Sequence, residues 1–166
     1  MTIVIGLIAG VSVLGAAGAP PKTTFESDVL KTAKGDIKLT FIGHGTLMLE
    51  FDGKVVHIDP VSDYADYARQ PKADLILITH EHGDHLDPRA VAQIATDKTA
   101  IILTEACRAR LGKGSVMKNG DKTTAAGFAI EAVPAYNIKH TRPDGAPFHP
   151  KGVGNGYVIA CGETKI

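Results

Sequence analysis

Tryptophan is absent from this chain and aromatic residues make up only 5% of it, which leaves no platform on which bases could stack. Charge of one sign is lacking too. With 18 Lys+Arg against 18 Asp+Glu, the chain offers no electrostatic footprint for nucleic acid or an anionic membrane surface. Cysteine is confined to Cys107 and Cys161, far apart and without thiolate-cluster spacing. They read as two separate buried thiols, and a disulfide between them would require an oxidising compartment. The glycines from Gly152 to Gly156 lack the strand-then-helix setting of a phosphate or dinucleotide loop, and no serine triad or internal repeat is visible. At 166 residues one core can form, but two domains are not expected.

The amino terminus carries a run of apolar and small residues without charge, Ile3 to Gly18. It is short for a membrane span and ample for a secretory leader, with Ala17-Gly18-Ala19 as the small residues of a cleavage site. Residues 1–19 are therefore expected to be a signal peptide and the protein to be exported, to the periplasm or beyond, leaving no stable membrane span. No Lys or Arg precedes the run and Pro20 follows the cut, so an uncleaved anchor or a misassigned start codon is the alternative. Residues 20–36 are polar, with Pro20-Pro21, and read as a linker into a domain spanning 37–166.

What the chain does have is His80-Glu81-His82-Gly83-Asp84-His85. Three imidazoles and two carboxylates within six residues offer the nitrogen and oxygen donors that suit a borderline divalent ion such as zinc. The preceding Leu75-Ile76-Leu77-Ile78 reads as a strand buried on both faces. Downstream, Asp87 can cap a helix that begins at Pro88 and turns Ala90, Val91 and Ile94 inward. The motif thus lies on a strand-to-helix loop at the carboxyl end of a strand, where open α/β sheets bind ligands. Alternate residues share a face, so His80 and His82 can point one way. Gly83 then lets the chain turn, sending Asp84 and His85 toward a second centre. One or two adjacent ions are expected. A zincin arrangement is excluded, because the histidines are two apart and not on a helix.

Strands are predicted at Ile37 to Phe41, Thr46 to Phe51 and Val55 to Ile58, with Asp52-Gly53 as a type I′ hairpin turn. A short helix is expected at Tyr64 to Ala68, a strand at Ala100 to Leu103 and a helix from Glu105 to Leu111. Further strands fall at Ser115 to Met117, Thr123 to Val133 and Gly156 to Cys161. The stretch from Asn137 to Asn155 is too irregular for an element, and loops of that length are usually functional. His57, alternating with Val56 and Ile58, reads as a surface or edge residue. Hairpins followed by alternating strands and helices fit an α/β sandwich.

From about Ile37 to the last residue the chain resembles the metallo-β-lactamase fold superfamily, in its metal-dependent hydrolase branch. The carrying residues are Gly43-His44-Gly45-Thr46, the strand-turn-strand Leu47 to Val56, Ile58-Asp59-Pro60, Thr79 to Asp87, Val133 to Asn137, His149 to Gly152 and Gly156 to Ile159. Only the histidine-aspartate motif is highly specific. The resemblance implies an αββα sandwich, of which this chain would supply the amino-terminal portion. The strand ending in Gly-Asp-Thr, whose aspartate bridges two metals in the family, has no counterpart here: beyond Asp144 only Glu163 is acidic.

The resemblance further implies metal ligands at His80, His82, Asp84 and His85, with Asp84 also orienting or deprotonating water. A third first-site ligand normally follows the apolar-Pro-Ala strand end, where this chain has Asn137. His149 is expected to serve instead, with His140 as the rival. Asp59 is expected behind a ligand imidazole, and His44 near the cleft. The implied activity is hydrolysis of an ester, lactone, amide or phosphodiester in a small-molecule substrate by metal-bound hydroxide, with zinc, or manganese or iron, as the ion. The alternatives are a non-hydrolytic metal-binding protein, an iron redox enzyme or an inactive fragment.

Overall fold

Four antiparallel strands joined by tight turns open the fold: β1 (Glu26–Thr32), β2 (Gly35–Gly43), β3 (Thr46–Phe51) and β4 (Lys54–Ile58). The computed structural model describes residues 24–166, so the expected signal peptide at 1–19 lies outside the described residues. At Asp52-Gly53 both φ angles are positive, 49° and 70°, as a type I′ turn requires. The segment expected to be a linker is corrected in part. Residues 26–36 form β1, its turn and the start of β2, and β1 is exposed almost throughout. Its strand state rests on the ladder with β2 rather than on burial, which is why its composition reads as polar linker.

The chain then switches from antiparallel to parallel pairing. β5 (Leu75–Leu77), β6 (Ala100–Leu103) and β7 (Ser115–Val116) extend the sheet in the order β1 to β7. Parallel neighbours need a crossover. Helix α1 (Pro88–Ile94) links β5 to β6, and α2 (Glu105–Leu111) links β6 to β7. Asp87 caps α1 by accepting Arg89 N–H at 2.8 Å, and its other oxygen accepts Ser62 N–H at 3.0 Å. Gly112, at φ 77°, ends α2. The helix expected at Tyr64 to Ala68 is a single 3-10 turn at Tyr67–Arg69.

The second sheet has four strands in the order β11-β10-β9-β8: β8 (Lys122–Ala125), β9 (Phe128–Ala135), β10 (Gly154–Cys161) and β11 (Thr164–Lys165). The single strand expected from Thr123 to Val133 is two, β8 and β9, joined by Ala126-Gly127 with positive φ at both residues. Alanine rarely takes that conformation, so the turn carries no sequence signal.

Two apolar cores flank the seven-stranded sheet. Ile76, Ile78, Ile101 and Leu103 pack against Ala90, Val91 and Ile94 of α1 and Cys107 of α2. On the opposite face Leu75, Leu77, Ile102 and Val56 meet Phe128, Ile130, Ala132 and Ile159 of the second sheet. The described residues thus form helices, sheet and sheet in three layers. β5 is fully buried on both faces, and each such side chain contributes about 1.5–3 kcal/mol by leaving water. Cys107 and Cys161 are unpaired and sit in different cores. The reading of His57 as a surface or edge residue is overturned. Because β4 lies between β3 and β5, His57 is fully buried, with Nε2 donating to Pro71 O at 3.1 Å.

Candidate metal centre

β4 and β5 end side by side, and the centre is built on those two ends. Asp59 leaves β4 in the left-handed region, φ 46°, and its N–H donates to Leu77 O at 2.9 Å. That fixes its carboxylate under Thr79, the first residue beyond the apolar run. Asp59 Oδ1 accepts Thr79 N–H at 2.7 Å, and Oδ2 accepts the Thr79 hydroxyl at 2.6 Å. With its one proton committed to Asp59, Thr79 Oγ1 accepts from His80 Nδ1 at 2.9 Å. His80 therefore carries its proton on Nδ1 and turns a bare Nε2 outward. Asp59 Oδ2 also accepts His85 Nδ1–H at 2.7 Å, which leaves His85 Nε2 bare as well. One buried carboxylate sets the tautomer of two imidazoles.

Past His80 the loop coils tightly: His85 and Leu86 N–H both donate to His82 O, at 3.0 and 2.8 Å. The arrangement separates the motif into two groups of donors. His80, His82 and His149 form one, and His44, Asp84 and His85 the other, the donor atoms within each lying within 4.8 Å of one another. The ring centres of the first group are 4.7, 4.8 and 5.1 Å apart. His80 and His85 rings are 4.0 Å apart, so the two groups are neighbours.

His149 reaches the cleft from the long loop between β9 and β10, whereas His140 stands exposed on the same loop. Asn137, which follows the apolar-Pro-Ala strand end, holds His149 in place. Its Oδ1 accepts both His149 N–H at 2.7 Å and His149 Nδ1–H at 2.9 Å, turning Nε2 toward His80 and His82. Sequence reasoning missed this role; an Asn twelve residues before an isolated His carries no local signal. Two other supports were equally invisible. Asn155 N–H donates to Thr79 O at 2.9 Å, and the Tyr157 hydroxyl donates to Ile78 O at 2.9 Å, so β10 pins the start of the loop.

Burial, aided by the neighbouring imidazoles of His85, His82 and His149, pulls His80 from its ordinary 6.5 down to about 4. Burial and the same crowding also lower His149. Burial opposes the charged form of His85 too, but the hydrogen bond and charge of Asp59 outweigh it and raise that group. Asp84 is held below the ordinary carboxylate range: burial works against this, and a backbone N–H with the His85 and His44 rings prevails.

The donors fit a divalent ion on two observations. His80 Nε2 is buried and has no hydrogen-bond partner, an arrangement that is costly unless something else binds that nitrogen. Imidazoles radiating from one ion at about 2.0–2.1 Å would place their ring centres roughly 5 Å apart, as the three rings are. Beside them lies a cavity of about 480 Å³ lined by Leu47, Ile58, Ala135 and Tyr136 as well as by His80, His85 and His149.

The family model described as "Beta-lactamase superfamily domain" matches residues 38–166. A UPF0173 metal-dependent hydrolase of Methanopyrus kandleri is 30% identical over 138 residues, 78% of this chain and 60% of that protein. The crystal structure of a protein described as a metal-dependent hydrolase of Parabacteroides distasonis superposes with TM-score 0.79 at 47% identity, over 86% of this chain and 64% of that one. A diiron β-hydroxylase of Streptomyces venezuelae shares the fold, with TM-score 0.57 at 18% identity over 81% of this chain and 29% of its own. The chain spans about 60% of the length of the curated relatives that it matches over most of its length. By its family model, its fold and its relatives, it belongs to the metallo-β-lactamase superfamily.

Proposed function

We propose that the protein is a hydrolase of a small-molecule ester, lactone, amide or phosphodiester, working through a divalent ion held by His80, His82 and His149. The observation that carries this is the bare, buried His80 Nε2 inside a triangle of imidazoles. The other nitrogens of His80 and His149 are fixed by Thr79 and Asn137. Such an ion supplies Lewis acidity, bringing the pKa of water from 15.7 to about 7 and polarising a carbonyl or phosphoryl oxygen. Three protein ligands with an open position are the pattern of catalytic rather than structural zinc.

The chain's own residues supply the rest. His80 stays neutral across the physiological range, as a ligand must. Asp84 remains ionised next to the triangle and half exposed, placed to accept a proton from attacking water. The cavity volume of about 480 Å³ falls within the usual range for small-molecule sites, and Leu47, Ile58 and Ala135 give it an apolar wall. Zinc suits the imidazole donors first, with manganese or iron next.

The test is to load the purified protein with zinc, manganese or iron(II) in turn and assay nitrophenyl ester, lactone and phosphodiester substrates with and without chelator. Turnover that chelator abolishes, that metal restores and that His80→Ala or His149→Ala lowers at least about 100-fold is expected. Metal-loaded protein inert toward every class, or turnover indifferent to chelator, would overturn the proposal.

A further inference from the structure

We infer that Lys151, held over the Tyr136 ring, is a subsite for an anionic group of the substrate, which is therefore an organic anion with an apolar body. This deepens the hydrolase reading and rests on it. The cavity beside the imidazole triangle has Leu47, Ile58 and Ala135 in its wall, and Asp59 is the one acid lining it among the described residues. That carboxylate is spent on Thr79 and His85, so no free carboxylate lines the space. Apolar surface without competing negative charge suits the body of an organic anion.

Positive charge comes from the loop between β9 and β10, which carries Lys139, Arg142 and Lys151 against Asp144 alone, in a chain of zero net charge. Asp144 serves its own turn, its Oδ1 accepting Ala146 N–H at 3.0 Å. Lys151 is the cation placed at the cavity. Tyr136 lines that space and is 40% exposed, and Lys151 Nζ lies 5.4 Å from its ring centre, within cation–π reach. Asn137, next to Tyr136, grips His149 through its backbone N–H and its side chain, and Lys151 follows His149 by two residues, across Pro150. Ring, ammonium and ligand imidazole are thus fixed to one bracket of backbone. Arg142 repeats the pairing, 4.8 Å over the ring of Phe148, the residue before His149. Lys151 pairs with no carboxylate among the described residues. A solvated surface lysine is the competing account, but this one lies against a ring of the cavity wall with its charge uncompensated. Carboxylate and phosphate both answer an ammonium with charge-assisted hydrogen bonds.

The experiment has a binding arm and a turnover arm. Calorimetric titration of the metal-free protein with butanesulfonate and with butanol, at about pH 8 where imidazoles are neutral, compares one apolar body with and without an anion. The sulfonate should bind at least about tenfold more tightly, and less so as salt is raised. Lys151→Arg should keep that preference, Lys151→Met should lose it and Lys151→Glu should reverse it, with thermal unfolding confirming that each variant is folded. In the second arm the zinc-loaded protein is given nitrophenyl esters of butyrate, succinate and phosphonopropionate. Higher kcat/KM for the two anions, by at least about tenfold and carried by KM, is expected, and the better of the two names the anion. Equal binding of sulfonate and alcohol, or an anion preference that survives both Lys151→Met and Lys151→Glu, overturns this inference. Turnover without anion preference overturns it as well and leaves the hydrolase reading standing. Selective, Lys151-dependent binding of the sulfonate with no turnover of any substrate class overturns the hydrolase reading and leaves Lys151 as an anion site.

Discussion

Asp59 is buried, and its Oδ2 accepts from both the Thr79 hydroxyl and His85 Nδ1. Asparagine also tolerates a left-handed φ, so Asp59→Asn keeps the backbone while removing the charge and one acceptor. The expected result is a loss of about 10–100-fold in metal affinity and about 1–3 kcal/mol in stability, read by chelator competition and urea unfolding. Affinity equal to the parent's would show that Asp59 does not orient the ligands. His80 makes a pH prediction. In the fold it takes up its proton only near pH 4, whereas in the unfolded chain it does so at its ordinary 6.5. Between those values the unfolded state holds more protons, so the metal-free protein loses stability as pH falls through that window. His85, raised above 6.5, acts in the opposite sense: its contribution is complete below 6.5 and is lost as pH climbs through its folded value. Metal-free melting temperatures should therefore fall from pH 6.5 toward 4, and His80→Asn should flatten that slope. A slope unchanged by His80→Asn would assign it to other groups.

The turn between β2 and β3 and the loop after β5 are built to touch. In Gly45→Ala the added methyl meets the His85 ring rather than empty space, so the ring must rotate off Asp59 or the turn must lift. Overpacking of this kind costs about 1–3 kcal/mol, and both a lower melting temperature and weaker binding at the His85 position are expected. Parent-like values for both would show that the contact yields freely. Elements were legible where composition and burial agree. β5, the Asp87-capped α1, α2 and the Asp52-Gly53 turn could all be read because apolar runs, caps and turn residues act locally. The failures have one cause: pairing that the local sequence does not encode. β1 is a strand because β2 lies beside it, His57 is buried because β5 covers β4, and Asn137 matters because the fold returns His149 to it across twelve residues. That the histidines and aspartate of the loop after β5 would converge was legible. The hydrogen bonds that choose which nitrogen each ring presents were not.

At the scale of the molecule, the centre joins three separate parts: the end of the seven-stranded sheet, the loop after β5, and the loop leading into β10. An ion bound across them is bound only by the folded state, so it should raise stability by mass action. At a free concentration 100-fold above Kd the gain is about 2.7 kcal/mol, which corresponds to a rise of several degrees in melting temperature. Zinc should produce that rise and chelator should reverse it, by calorimetry or dye-monitored melting. No rise at saturating zinc would mean that the donors do not converge in solution. Reducing agent should leave the transition where it is, since Cys107 and Cys161 lie in cores on opposite faces of one sheet.

His80 and His149 are anchored very differently. Thr79, just before His80, is tied to Asp59 and to Asn155, with one core on each side of β5. His149 sits on a loop whose residues from 138 to 146 are all exposed. Amides around Ile78 and Thr79 should therefore exchange with solvent only through global opening, whereas those of the loop exchange through local excursions. An ion held by all three imidazoles would lose His149 first. Its residence time would then follow the opening rate of that loop, leaving the rigid pair as a preset landing place for the next ion.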